Sequence, residues 1–372
     1  MAGIQERLLR IDLNQSNVSE ERLPRKWYSQ YLGGLGLGLR YLLEDLQSTS
    51  SLDEPLLIMA GPFAGTPIPG SAPAVLISVS KKGLHYDMLY GNVAAAIRLA
   101  GFDGMVLNGK SLAPVWVAIA SQGIALKAVP DLEPENALDT EAKIRDLTPE
   151  ALTVLAVEED KSRSNEYLEV DMGGQLLSKG VKAISIVADG KFDSERNVKD
   201  LLRDVNLYLF NSIKQKSERV NQTAMPGRKS CFGCPGGCID YQRDGQEANF
   251  VLTPSFSSKQ LSVEALVREE NNRSLKYCLP SCPKWTLPQK KILEWLEAIT
   301  GFVITADELE ITGARVFTLY KILDMYYGAK PISPAQPEYL RQRGFNERGA
   351  LIIDKLEQLS LPASITNLFN PK

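Results

Sequence analysis

Between residues 55 and 120 the chain repeats one pattern: a short apolar run, then a break. "PLLIMAGP", "AVLISVSKKG", "GMVLNGKS" and "VWVAIAS" are each bounded by Gly, Pro, Ser or Lys. Runs of this length, rich in Val and Ile, are too short for buried helices and read as strands. "RLLRIDL" near the start and "LTVLAVEED" and "VKAISIVAD" further on add three more. Helices are expected between them. "PRKWYSQYLGG" ends at Gly33 and Gly34, "GNVAAAIRLAGF" closes at Gly101, and "PENALDTEAKIRDL" is acidic. "NQSN" reads as a turn, and "SEERLP" as the approach to a short helix. From about 194 to 222 the pattern becomes that of a charged amphipathic helix. Beyond it, helical periodicity returns over 286–300, 305–327 and 346–359. The expected class is α+β. A β-rich N-terminal domain of two sheets covers 1–205, and a reduced helical domain covers 206–372. A doubly wound parallel sheet at the front would contradict this.

Composition narrows the function classes. The chain has 372 residues, 44% of them apolar and 23% charged, enough for a substantial core. A net charge of −3 provides no basic face, so no nucleic-acid partner is expected. No window holds the eighteen or so apolar residues that a membrane span needs. "MAGIQERLLRIDL" does not read as a secretory leader, so a cytoplasmic location is expected.

"YLGGLGLGLRY" has the look of a nucleotide loop but the wrong spacing. It is G-G-x-G-x-G rather than G-x-G-x-x-G, and it follows a helix rather than a strand. A glycine-lined turn where backbones pack closely, or close approach to a large flat ligand, accounts for it better.

Five cysteines remain, odd in number and clustered, which argues against a disulfide framework. Cys231, Cys234 and Cys238 lie in "KSCFGCPGGCIDY", and Cys278 and Cys282 in "KYCLPSC". A [4Fe-4S] cluster needs four converging thiolates. C-x2-C-x3-C supplies three from one loop, and Cys278 or Cys282 can supply the fourth. Intervening glycines let backbone N–H groups face the sulfurs. Zinc held by Cys231, Cys234, Cys278 and Cys282 is an alternative that leaves Cys238 spare. Unliganded buried thiols are a third. Spacing alone leaves these open.

Several segments together resemble the aldehyde ferredoxin oxidoreductase family, tungsten- or molybdenum-pterin enzymes that also carry one [4Fe-4S] cluster. They are "RLLRIDLNQSNVSEERLP", "YLGGLGLGLRYL", "PLLIMAGPFAGTPIPGSAPAVLISVSKKG", "AAAIRLAGFDGMVLNGKS", "SKGVKAISI", "CFGCPGGC", "EWLEAITGF" and "ELEITGARVFTL". They cover about 1 to 330, with gaps. The resemblance places Cys231, Cys234 and Cys238 on the family's three loop ligands. It matches "RSLKYC" to the family's D-x-x-G-x-C motif, which makes Cys278 the fourth ligand and Cys282 its alternative.

The same resemblance shows departures. The motif's aspartate, a pterin contact in the family, is Arg273 here. The family's arginine after "PGSG" has no counterpart in "PGSAPA". "LYGN" stands for the family's "SNSGG" loop, and "DMGG" for its "AGR". Only residues 239–277 separate the two cysteine groups, where the family places most of its second domain. The chain's one histidine, His85, reads as a surface residue rather than a proton donor.

The expected function is therefore that of an iron-sulfur redox protein with one [4Fe-4S] cluster and an eroded pterin site, so tungsten or molybdenum pterin is doubtful. Ferredoxin or another redox protein is the expected partner, in a homodimer or a hetero-complex. The alternatives are ferredoxin-dependent oxidation of an aldehyde to an acid, and a non-catalytic subunit with a structural metal site. No catalytic residue is assigned. The helical segment with Trp285, Ile292, Leu293, Leu296 and Ile299 is read as core packing.

Overall fold

Two sheets form the front of the chain. Their strands are β1 (Arg7–Asp12), β2 (Asn17–Arg22), β3 (Leu56–Ala60), β4 (Ala74–Ser80), β5 (Gly83–Leu89), β6 (Gly104–Asn108), β7 (Val115–Ala120), β8 (Gly123–Ala128), β9 (Thr153–Ala156) and β10 (Val181–Ile186). The larger sheet has the order β2-β1-β6-β3-β4-β5 and the smaller β8-β7-β10-β9. Most neighbours are antiparallel; β1–β6 and β7–β10 are parallel. The computed structural model describes residues 3–48, 54–80, 83–120, 123–128, 137–158, 172–190, 198–220, 262–282, 287–328, 337–346 and 350–368.

The helices are α1 (Arg25–Tyr31), α2 (Gly34–Ser48), α3 (Val93–Leu99), α4 (Ala137–Leu147), α5 (Met172–Ser178), α6 (Val198–Val220), α7 (Val263–Cys278), α8 (Gln289–Thr300), α9 (Ala306–Tyr326), α10 (Pro337–Gln342) and α11 (Ile353–Gln358). The class is α+β, with two sheets in front and helices behind.

Why the central strands are apolar throughout follows from what covers them. On β3, Leu57 and Met59 face one core cluster, while Leu56, Ile58 and Ala60 face another. A strand covered on both faces loses the polar alternation of a half-exposed one. The second cluster lies between the sheets and is filled by α3, whose Ala94, Ala95 and Ala96 are buried. The first cluster joins the outer face of the large sheet to α1, α2, α7, α8 and α9. Its members run from Ile4 to Ile365, so front and back share one apolar interior.

Four local expectations differ from the structure. "NVSEER" is β2, a hairpin partner of β1, a strand not expected there, although the chain does run from it into the short α1. It sits at the sheet edge, largely exposed, so burial imposes no apolar alternation on it. β5 and β8 also lacked a clear apolar run. The glycine run is not a turn after α1: from Gly34 on it starts α2, a helix buried deeply enough for packing to override glycine's poor propensity. The helical pattern over 346–359 shrinks to α11.

The helical side is closed by local signals. α9 opens with a capping box of Thr305 and Glu308. Gly301 ends α8 in the left-handed conformation. Gly313 lets α9 approach α7 closely, since a Cβ there would lie 2.7 Å from the Asn271 carbonyl oxygen. As expected for the Ile292–Ile299 stripe, Leu296 and Ile299 are buried and Ile292 and Leu293 pack against the core. Trp285 lies outside the described residues. No described helix is long and apolar enough to cross a membrane.

Candidate functional site

Residues 61–72 connect β3 to β4 as a buried loop. A buried loop must satisfy its own polar groups. Thr66 Oγ1 donates to the Phe63 carbonyl at 2.6 Å, and Ser71 Oγ to the Ile68 carbonyl at 2.7 Å. Gly65 and Gly70 take positive φ of 76°, where a side chain would be strained.

One end of this loop is anchored by a buried charge network. Asp103, fully buried, accepts the N–H groups of Gln5 at 3.0 Å and Arg7 at 3.2 Å and the Tyr28 hydroxyl at 2.6 Å. It also pairs with Arg98, which donates to the Gly61 carbonyl at 2.9 Å. Burial, then the Asp103 carboxylate, pushes the Tyr28 phenol far above its usual range. Asp103 belongs to the "AGFDG" segment singled out in the sequence, yet its partners are spread over β1, α1, α3 and the loop. Only folding assembles them.

Against this loop lies the end of α7. The Cys282 N–H donates to the Gly70 carbonyl at 2.8 Å. Pro280 packs on Gly61, and the Tyr277 carbonyl packs on Gly34 at the start of α2. Tyr86 of β5 meets Tyr277 edge-on, with ring centres 4.7 Å apart, and Tyr320 of α9 at 5.1 Å. Tyr90, just beyond β5, is pushed up to about 12, first by burial and then by the nearby Cys282, Tyr277 and Asp87.

The two described cysteines have different surroundings. Cys278 is fully buried in the large apolar cluster. Burial pushes its thiol up to about 12, against the opposing pull of the Gly36 backbone N–H and Arg315. Cys282 is only partly buried and sits in the turn after the helix. Cys231, Cys234 and Cys238 lie outside the described residues. Among the described residues, no three His, Cys, Asp or Glu groups converge as a metal site.

The remaining candidates are now placed. His85 lies half-buried in β5, opposite Ser78 of β4. Arg273 lies on α7, where it pairs with Glu269 at 3.4 Å in a partly exposed i,i+4 contact. The glycines of α2 face protein rather than space. A Cβ on Gly36 would meet the Tyr31 carbonyl oxygen at 2.3 Å and Cys278 Sγ at 3.1 Å, and one on Gly38 would meet Ile77 at 2.3 Å.

Residues 8–187 match the family model for the aldehyde ferredoxin oxidoreductase N-terminal domain. Over these residues, just under half of its length, the chain is similar to that family. A tungsten-containing aldehyde ferredoxin oxidoreductase of Pyrococcus horikoshii is 23% identical over 295 residues, covering 64% of this chain and 49% of the relative. The WOR-like subunit of an aliphatic sulfonate oxidoreductase of Pyrococcus furiosus is 27% identical over 128 residues, covering 32% of this chain and 20% of the relative. The chain thus spans about half, or less, of the length of the curated relatives it matches. Among solved structures, the active-site complex BamBC of benzoyl coenzyme A reductase, in complex with 1,5-dienoyl-CoA, superimposes with a TM-score of 0.73. That match has 13% identity and covers 99% of this chain and 98% of the other. At that identity the likeness shows the fold.

Proposed function

We propose that the chain is an iron-sulfur redox subunit of the family, with one [4Fe-4S] cluster held by Cys231, Cys234, Cys238 and a fourth cysteine. The observation that supports the reading is the placement of Cys278 and Cys282 together at the end of α7, where the backbone is tied to the buried 61–72 loop. The free Cys278 thiol is buried and resists ionisation, but a bound iron would supply the compensating charge. The motif "RSLKYC" supports Cys278 as the fourth ligand, with Cys282 as its alternative.

A cluster bound there would supply one-electron transfer. The protein's part is to hold the ligands, exclude water from one side and leave the other open to a partner. A redox protein such as ferredoxin is the proposed partner. Assembly into a larger complex is supported by a relative named as a subunit and a structural neighbour described as a complex.

The described residues do not fit a pterin on this face. The surfaces of Gly34, Gly36 and Gly61 are filled by Tyr277, Cys278 and Pro280. Arg273 provides only donors, where a carboxylate would accept the pterin N–H groups. Aldehyde oxidation is therefore not assigned to the isolated chain.

The test is anaerobic purification with iron, sulfide, tungsten, molybdenum and zinc analysis, and EPR of the reduced protein. Near four irons per chain without tungsten or molybdenum is expected. Cys278→Ala should remove the visible absorption and Cys282→Ala should keep it. The reverse result moves the fourth position to Cys282. Zinc without visible absorption overturns the redox reading. Aldehyde turnover above about 1 s⁻¹ with stoichiometric tungsten or molybdenum overturns the loss of the pterin site.

A further inference from the structure

α6 carries apolar side chains on two faces. On one, Leu201 and Val205 are buried, and Tyr208 meets Trp295 of α8 edge-on, with ring centres 5.4 Å apart. That face anchors the helix, and a surface helix ordinarily keeps its other side polar. Here the other side presents Leu202, Leu207 and Phe210, which are 37%, 53% and 66% exposed. With Lys199, Arg203 and Asn206 they line a shallow, open groove of about 630 Å³. Positions 199, 203, 206 and 210 recur at helical spacing, so the groove follows the helix for about 16 Å. Among the described residues, the charged groups that line it are both cations. Of the nearby acids, Asp204 accepts from Lys291 and Trp295, and the exposed Asp200 does not line the groove.

We infer that this face of α6 docks an amphipathic helix of a partner protein, one that carries carboxylates beside its apolar stripe. Shape and charge select that occupant. A small ligand is held in a cleft that covers most of its surface, and this groove is open along its length. A second copy of the chain would bring only further cations to the groove, and like charges across an interface repel. A carboxylate opposite Arg203 forms a forked, charge-assisted pair instead. Phe210 supplies an aromatic anchor for the partner's apolar side chains. A straight helix laid along α6 matches the length of the groove, with the side-chain ridges of one in the grooves of the other. The inference gives the proposed complex a contact surface, and it does not depend on the cluster.

The experiment uses the full chain and two short stapled helical peptides, both with Leu at helical spacing. One has Glu beside the Leu stripe and the other has Lys. Fluorescence anisotropy should show the Glu peptide binding about tenfold tighter or more. Arg203→Glu should reverse that preference, and Phe210→Ser should weaken the Glu peptide about tenfold or more. Leu138→Ser, at an exposed apolar residue on α4, should change neither. Thermal unfolding checks that each variant folds, and Arg203→Glu and Phe210→Ser test the face independently. The inference is overturned if wild type binds neither peptide or both equally, or if Arg203→Glu leaves the preference in place. It is also overturned if Leu138→Ser weakens binding as much as Phe210→Ser. Sedimentation velocity and vesicles of phosphatidylcholine with phosphatidylserine examine the rival occupants. A homodimer that Phe210→Ser dissolves assigns the face to a second copy, and vesicle binding that Phe210→Ser abolishes assigns it to lipid; either overturns the inference. Selective peptide binding by an iron-free chain overturns the cluster reading alone. An iron-loaded chain without peptide selectivity overturns the docking face alone.

Discussion

Asp103→Ala should be among the most damaging single changes in the described residues. Asp103 is fully buried and Arg98 is 6% exposed, so removing the carboxylate leaves a guanidinium charge inside the protein. Breaking a buried pair from one side costs about 3–5 kcal/mol. The Tyr28 hydroxyl and the Gln5 and Arg7 N–H groups also lose their acceptor. An unfolding entropy of about 2.1 cal/mol/K per residue gives about 0.8 kcal/mol/K for a chain of this length. The loss therefore corresponds to a melting temperature lower by about 4–6 °C. Calorimetry or circular dichroism measures it. Asp103→Ala with Arg98→Met should recover part of the loss, since a buried pair replaced by apolar groups is often nearly neutral. A fall below about 1 °C for Asp103→Ala would refute the reasoning, as would a double variant less stable than the two single changes combined.

Two further perturbations test the helical side. Gly313→Val places a side chain against the Asn271 carbonyl between α9 and α7; a loss of about 1–3 kcal/mol is expected, and unchanged or higher thermal stability would refute close packing there. Asp204 of α6 accepts from Lys291 at 2.8 Å and Trp295 at 2.7 Å on α8. Burial alone would raise its carboxyl, but these hydrogen bonds outweigh that and hold it below the usual value. A depressed folded-state pKa stabilises above the unfolded value, near 4, and the gain is lost as pH falls through the depressed one. Asp204→Asn should flatten that acid-side loss in thermal scans between about pH 5 and 2. An unchanged acid profile would refute the assignment.

Much of the front of the molecule was legible in the chain. β3, β4, β6, β7 and β10 stand out because burial on both faces leaves continuous apolar runs between Gly, Pro and Ser. α3 was readable from its alanines and Gly101. β2 and β8 were not, because edge strands exposed to water need no apolar alternation. α2 was hidden because its glycines argue against a helix locally; contacts with Tyr277, Cys278, Ile77 and Met59 make the helix worthwhile. The contacts with Tyr277 and Cys278 join residues more than two hundred positions apart, and none of the four leaves a local periodic signal.

The candidate site divides along the same line. Residue types and spacing by themselves determined that a cysteine group was present, that the glycine run was no nucleotide loop, and that the front resembles one family. Those follow from short-range geometry, since ligand spacing and strand length are properties of neighbouring residues. Which of Cys278 and Cys282 is buried depended on where the end of α7 meets the 61–72 loop, four residues making the difference between apolar core and partly exposed turn. Likewise Asp103, Arg98 and Tyr28 carry no shared motif, and their network exists because β1, α1, α3 and the loop converge. Burial and desolvation are set by the whole packed molecule, and so only the tertiary structure decided them.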